Sequence, residues 1–426
     1  MSPASPAKLS PREQLLDRYL DVRRESLAIC APLEIEDHCI QTMVDVSPPK
    51  WHLAHTSWFF ETFLLARFAK SYTPFHPGYD HLFNSYYLTH GRPFPRAQRG
   101  LLSRPSLRDI LYYREVVDDV MQALLLALDE QHYREFEFLL RLGLNHEQQH
   151  QELLYTDIKH ILSHNPLKPA YLEAKPARVK TSAVQPPLAM QSFSGGLIEV
   201  GHDGEGFAYD NEGPRHKVWL ENFALAKRLL SNGEYLEFIN DDGYQRPEFW
   251  LSEGWAMKQQ QNWSVPLYWE QRDEQWWQFS LYGMQPLDLA APVSHVSLFE
   301  ADACARWAGK RLATEFEWEH VARQYPVSGN LRERSVLQTQ AAASSEMCQL
   351  YGDLWEWTAS AYSAYPGYQP AAGSIGEYNG KFMSSQMVLR GGSFVTPQDH
   401  IRASYRNFFY PADRWQFSGI RFAEDV

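Results

Sequence analysis

Up to about residue 165, apolar positions recur at the three-to-four-residue spacing of an α-helix. Ser10-Pro11-Arg12-Glu13 sets a cap serine three residues before a glutamate and puts proline at the first helical position, so a helix through Tyr19 and Leu27 is predicted. Ser47-Pro48-Pro49-Lys50 opens a second, from about Trp51 to Phe68. A third is expected from about Ser106 to Leu128, with Ile110, Val117, Met121 and Leu124 on one stripe. A fourth should run from about Tyr133 to Leu162. Four long helices predict an up-down bundle.

Beyond that point the pattern changes. Residues 164–190 carry Pro166, Pro169, Pro176, Pro186 and Pro187 among scattered lysines, which is linker chemistry. From about residue 191 short apolar stretches (Leu197–Val200, Lys217–Leu220) alternate with turns rich in Gly, Asn and Asp. The clearest helices there are Ser231–Asn240 and Leu298–Ala308. The glycines and tryptophans divide the same way: only 4 of 24 Gly and 2 of 14 Trp precede residue 165. The expected organisation is a helical domain over 1–165, a linker over 166–190 and a loop-rich α+β domain over 191–426.

Composition narrows the function. A net charge of −12 disfavours a nucleic-acid backbone as main partner, because phosphate binding needs a basic face. The densest apolar run, Leu124–Leu128, is far below the roughly 20 residues of a membrane span. The N-terminus lacks the apolar core of a signal peptide. Cys30, Cys39, Cys304 and Cys348 contain no CxxC pair and are too few for a disulfide framework. These features lead us to expect a cytoplasmic protein.

The sharpest chemical signal is Asn145-His146-Glu147-Gln148-Gln149-His150. Residues four apart share a helix face, so His146 and His150 can hold one ion. The plain alternative is a solvated polar face, and the formal HExxH match invites a zinc-hydrolase reading with Glu147 as base. A further ligand is available in Trp51-His52-Leu53-Ala54-His55. His55 lies one turn from both Trp51 and Phe59, hence inward, while His52 sits at the rim of that face and helical geometry admits it too. One imidazole from one helix and two from another make a three-histidine facial site with positions open for substrate and dioxygen. Zinc with three protein ligands and a water satisfies the same set. The loop after Phe83-Asn84-Ser85-Tyr86-Tyr87 carries Arg92, Arg96 and Arg99; paired arginines can clamp a carboxylate, and the tyrosines can supply a phenolic proton.

Longer stretches carry a resemblance. SPPKWHLAHTSWFFETFLL, the NSYY…GRPFPRAQRGLLSRPS segment and NHEQQHQELL resemble the N-terminal domain of the ergothioneine-biosynthesis sulfoxide synthases, a DinB-like four-helix bundle. VSHVSLFEADACARWAGKRLATEFEWEHVAR, YGDLWEWTAS, VLRGGSFVTP and SYRNFFYPADRWQFSGIRFA resemble the formylglycine-generating-enzyme (sulfatase-modifying factor) domain, a C-type-lectin-like fold. The resemblance implies a mononuclear non-haem iron(II) enzyme. It would join the sulfur of cysteine to C2 of the imidazole of hercynine (Nα-trimethylhistidine) and oxidise that sulfur, with O2 as four-electron acceptor.

By motif, the resemblance places iron on His55, His146 and His150. It implies that Arg96 and Arg99 bind the cysteine carboxylate, and that Tyr86 or Tyr87 donates a proton to reduced dioxygen, steering away from thiol dioxygenation. Gln149 and Asn407 would meet polar groups of hercynine, Phe408 and Phe409 would face its quaternary ammonium, and Asp45 would supply a negative charge. The Tyr86-Tyr87 pair looks like the branch that uses free cysteine, whereas other members use γ-glutamylcysteine. Two rival readings are an ovothiol-type synthase, which acts on histidine at C5 and usually carries a methyltransferase domain, and a lectin-like binding module with an inert bundle.

Overall fold

The computed structural model describes residues 9–173 and 187–426 and divides into two compact units, Met1–Ile161 and Leu162–Val426. Helices dominate the first. Helix α1 (Pro11–Cys30) starts where the Ser10 hydroxyl accepts the Glu13 amide and the Glu13 carboxylate accepts the Ser10 amide at 2.7 Å, the reciprocal cap its sequence encodes. Helix α2 (Pro49–Phe60) begins on proline and buries every residue. It continues through a π-turn (Glu61–Leu65) and a last α-turn (Ala66–Phe68), so the predicted second helix is present with an irregularity in its middle. After short α3 (Tyr79–Phe83) come α4 (Leu107–Ala127), again capped by a reciprocal Ser106–Asp109 box, and the 35-residue α5 (Glu130–His164). The stripe of α4 ends on Leu125 and not Leu124, since four residues on from Met121 is the position that returns to the core.

A buried ionic clasp holds the four long helices together. Glu147 of α5 takes Arg23 and Ser26 of α1 and Arg114 of α4, while Arg23 also reaches Ser57 of α2 at 2.9 Å and Asp118 of α4 at 2.6 Å. Removing Glu147 would leave Arg114 without a carboxylate among the described residues in a dry interior, so the cluster sets which helix faces meet.

In the second unit, β1 (Met190–Phe193), β2 (Gly196–Val200), β3 (His216–Leu220) and β4 (Phe223–Ala226) precede α6 (Asn232–Asn240) and α7 (Ser252–Gln261). A three-stranded meander follows: β5 (Trp269–Arg272), β6 (Gln275–Ser280) and β7 (Gly283–Pro286). Then come α8 (Leu298–Trp307), β8 (Arg311–Leu312), α9 (Glu315–Ala322), β9 (Trp355–Ala361), β10 (Met387–Arg390), β11 (Asn407–Phe409), β12 (Ser418–Gly419) and β13 (Phe422–Asp425). One antiparallel sheet has the order β1-β4-β13-β8. A second, β11-β10-β9-β12, ends on a parallel β9–β12 pair; the two expected strands β2 and β3 pair separately. Capping boxes at Ser231–Glu234 and Ser297–Glu300 start the two helices foreseen in this half, whereas α7 and α9 were not foreseen. Of the expected linker 166–190, residues 174–186 lie outside the described residues. Tyr171 and Leu172 both donate their amides to the Leu281 carbonyl at 3.0 Å, so these residues already belong to the second unit.

Candidate metal centre

Local sequence brings α2 and α5 into contact. A Cβ on Gly143, one turn before His146, would lie 2.6 Å from Phe60 and 3.1 Å from Phe59, so only glycine admits this approach of the two helices. The π-turn directly after α2 belongs to a class of irregularity common at functional sites.

The approach gathers His55, His146 and His150, with one ligand nitrogen from each inside a 4.8 Å cluster. The Nε2 atoms of His55 and His146 are 3.2 Å apart, and the rings of His150 and the other two are centred 4.6 Å apart. Burial is the main reason all three rings stay neutral: it lowers His146 to about 3 and pulls His55 and His150 well below the usual imidazole range, with their mutual repulsion adding to the shift in the latter two. Neutral imidazoles with converging lone pairs are the donor set a transition metal needs.

Hydrogen bonds orient His55 and His150. His55 Nδ1 lies 2.5 Å from the Phe83 carbonyl, which can only accept, so the proton sits on Nδ1 and Nε2 is left to the cluster. His150 Nδ1 is 2.8 Å from His52 Nδ1, and His52 Nε2 is 2.9 Å from Asp157 Oδ2. Of the two histidines that sequence left open on α2, the structure puts His55 in the cluster and His52 behind His150. The donor set therefore fits a single ion held by His55, His146 and His150. Ring packing stiffens the set: Trp51 and Trp58 stack on the two sides of His55 at 4.7 and 5.6 Å, and Phe59 covers His146 at 4.6 Å.

Glu147 cannot be a hydrolytic base here. Its carboxylate is fully buried on another face of α5, and both oxygens are occupied by Arg23, Arg114 and Ser26. Burial would raise its pKa, but the two arginines and the serine win and hold it at about 2. The zinc-hydrolase reading of HEQQH fails on that geometry.

Other residues singled out from the sequence take distinct places. Arg99 is buried, with its guanidinium 3.3 Å from the centre of the Trp51 ring, and donates to Ser47 Oγ at 2.9 Å. No carboxylate pairs with it among the described residues. Burial, and then repulsion from Arg96, pull it well below the usual arginine range. Arg96 and Asp45 are about half exposed and engage each other: the guanidinium reaches the Asp45 carbonyl at 2.6 Å and its carboxylate at 3.6 Å. Tyr87 is buried, bracketed by Asn84 through two 2.9 Å bonds to its backbone, and its ring lies against Trp58, itself stacked on His55. Tyr86 is half-buried beside it, 4.6 Å between ring centres. Gln149 is half-buried, one residue before His150 on α5.

In the second unit, Asn407, Phe408 and Phe409 form β11, all half-buried. Phe408 stacks on Tyr362 at 4.0 Å, and Phe409 meets Trp415 edge-on at 5.6 Å. Asn407 turns its side-chain oxygen to the Phe408 amide at 3.0 Å. Sequence reasoning passed over Asp157 and the Phe83 carbonyl. The signal for Asp157 was present: it lies seven residues after His150, two turns along the same helix face.

Comparison with known proteins agrees with this arrangement. Residues 18–154 match the DinB superfamily, and 175–426 match the sulfatase-modifying factor enzyme 1-like domain. A hercynine oxygenase of Mycolicibacterium thermoresistibile is 30% identical over 97% of this chain and 95% of its own length. That of Mycobacterium tuberculosis is 30% identical over 97% of this chain and 99% of its own. Ergothioneine biosynthesis protein 1 of Schizosaccharomyces pombe is 28% identical over 51% of this chain and 28% of its own length. Among the described residues no helix is long and apolar enough to cross a membrane. With both domains in order and relatives matched nearly end to end, the chain belongs to the hercynine oxygenase family of oxygenases.

Proposed function

We propose that the protein is an iron(II)- and O2-dependent sulfoxide synthase of ergothioneine biosynthesis, joining the sulfur of cysteine to C2 of the hercynine imidazole and oxidising that sulfur. The carrying observation is the neutral, converging triad of His55, His146 and His150. The balance is closed: one thiol hydrogen, one ring hydrogen and O2 become a C–S bond, a sulfoxide oxygen and water. Iron held by the triad would activate dioxygen and bind the thiolate beside it.

The chain's own residues account for the rest. Among the described residues Arg99 is a buried cation without a paired carboxylate, a state that an anionic ligand relieves, so it takes the cysteine carboxylate. Arg96, already shared with Asp45, stands at half exposure and assists. Tyr87 and Tyr86 supply the proton that diverts oxidation from the thiol; of the two, Tyr87 is separated from the ligand His55 by the single ring of Trp58. Trp51 and Trp58 exclude water from His55. Gln149 holds polar groups of hercynine from the ligand helix, and Asp45 offers charge to its trimethylammonium. In the second unit taken by itself, Asn407, Phe408 and Phe409 carry an amide and aromatic faces of the kind a quaternary ammonium binds.

The testing experiment is an oxygen-dependent product assay after anaerobic iron(II) loading. Cysteine and γ-glutamylcysteine are compared as thiols, and hercynine and histidine as acceptors. Hercynylcysteine sulfoxide from free cysteine is the expected product. Preference for histidine would transfer the chain to ovothiol-type chemistry, and preference for the dipeptide would overturn the thiol assignment.

A further inference from the structure

Behind His150 runs a chain of hydrogen bonds that the coupling reaction itself does not call for. Asp157 Oδ2 receives two donors: the Ser47 amide at 2.8 Å and His52 Nε2 at 2.9 Å. An oxygen that already accepts a backbone N–H is an acceptor for the second group too, so the His52 proton sits on Nε2. With its proton on Nε2, His52 turns Nδ1 as an acceptor toward His150 Nδ1 at 2.8 Å. His150 must donate there, which puts its proton on Nδ1 and frees Nε2 for the cluster. All members are buried, so water does not compete for these bonds.

We propose that Asp157 and His52 are positioning residues for the metal centre, acting in series to set the tautomer and aim of His150. This deepens the reading of His55, His146 and His150 as an iron site and rests on it. The relay spans 105 residues of sequence between Asp157 and His52 and couples the late turns of α5 to the start of α2. Ser47 links it to Arg99, since the residue that fixes Asp157 through its amide accepts the Arg99 guanidinium through its hydroxyl at 2.9 Å.

Replacement distinguishes a hydrogen-bond relay from a charge effect. In Asp157→Asn the amide oxygen is directed to the place of Oδ2, because an NH2 there would oppose the Ser47 N–H. The acceptor for His52 survives and only the charge is lost. Asp157→Leu and His52→Leu remove an acceptor outright. Full-length wild type and the three variants are titrated anaerobically with Fe(II), with apo-protein melting followed in parallel. Both leucine variants should bind Fe(II) about 10–100-fold more weakly, and Asp157→Asn should recover most of that loss. Leucine variants that bind like wild type, or an asparagine variant as weak as the leucine one, would overturn the relay while leaving the triad standing. A wild type that binds no Fe(II) would overturn the triad and the relay with it.

Should the leucine variants not fold, the wild type carries the test. With 15N-labelled histidine and Zn(II) as probe ion, the ring protons should reside on Nδ1 of His150 and Nε2 of His52. The opposite placement on either ring overturns the proposal.

Discussion

Glu147→Gln separates a structural role from a catalytic one. Wild-type Glu147 is fully buried against Arg23 Nη1 at 3.0 Å, Ser26 Oγ at 2.6 Å and Arg114. Arg23 keeps a second carboxylate in Asp118, at 2.6 Å. Arg114 has no other carboxylate among the described residues, so its guanidinium becomes a lone buried charge in the variant. Breaking a buried pair from one side costs about 3–5 kcal/mol. The retained amide oxygen and the Asp118 pair place this case at the lower end, about 3 kcal/mol. The pKa points the same way: the two arginines and the serine hold the carboxyl at about 2 against the effect of burial, so its charged form is the stabilised one. Because the folded pKa is lowered, that stabilisation is complete above pH 4.5 and is lost as pH falls toward 2. Thermal melting of the variant at neutral pH should therefore drop by roughly 10 °C, and the wild-type and variant curves should converge in acid. Below its lowered melting point the variant should still bind iron and make product. A variant of unchanged stability that loses all activity would refute the reasoning and restore Glu147 as a reacting group.

Gly143→Ala should be unfavourable even though alanine favours a helix by about 1 kcal/mol. The new methyl meets the buried Phe60 ring at 2.6 Å, an overlap worth about 1–3 kcal/mol. Fe(II) titration should show weaker binding as α2 is pushed from α5, and unchanged affinity would mean that the close approach does not set the triad. Arg99→Leu should raise the KM for cysteine by about 10–100-fold, the worth of a charged hydrogen-bond pair, while apo-protein melting holds; an unchanged KM would remove Arg99 from the thiol site. Tyr86→Phe and Tyr87→Phe, singly and together, should shift product toward cysteine sulfinate on chromatographic analysis, and an unaltered ratio in the double variant would exclude both phenols.

Where a feature is local, it can be read from the sequence. Ser10 and Glu13 announce α1 because a cap closes within one turn, and His146 and His150 share a face because a helix repeats within four residues. The spacing of His55 from Trp51 and Phe59 marks it as inward-facing but does not exclude the rim position His52, whose place behind His150 only packing reveals. Asp157 pairs with a residue on another helix, and Glu147 closes a clasp that draws on three. Such pairings exist only once the helices are packed; the seven-residue spacing puts Asp157 on the face of His150 but does not name its partner on α2. Helix α7, Ser-Glu-Gly-Trp-Ala-Met-Lys-Gln-Gln-Gln, escaped notice because it buries only Gly254 and Lys258 and shows no apolar stripe. The π-turn after Phe60 was equally hidden, since its sequence reads as ordinary helix.

Anaerobic Fe(II) titration of the full chain, alongside His55→Ala, His146→Ala and His150→Ala, bears most directly on the central claim. One ion per chain in the wild type, with binding lost in each variant, is the predicted result. Undiminished stoichiometry in any of the three, or a wild type that takes up no iron, would contradict it.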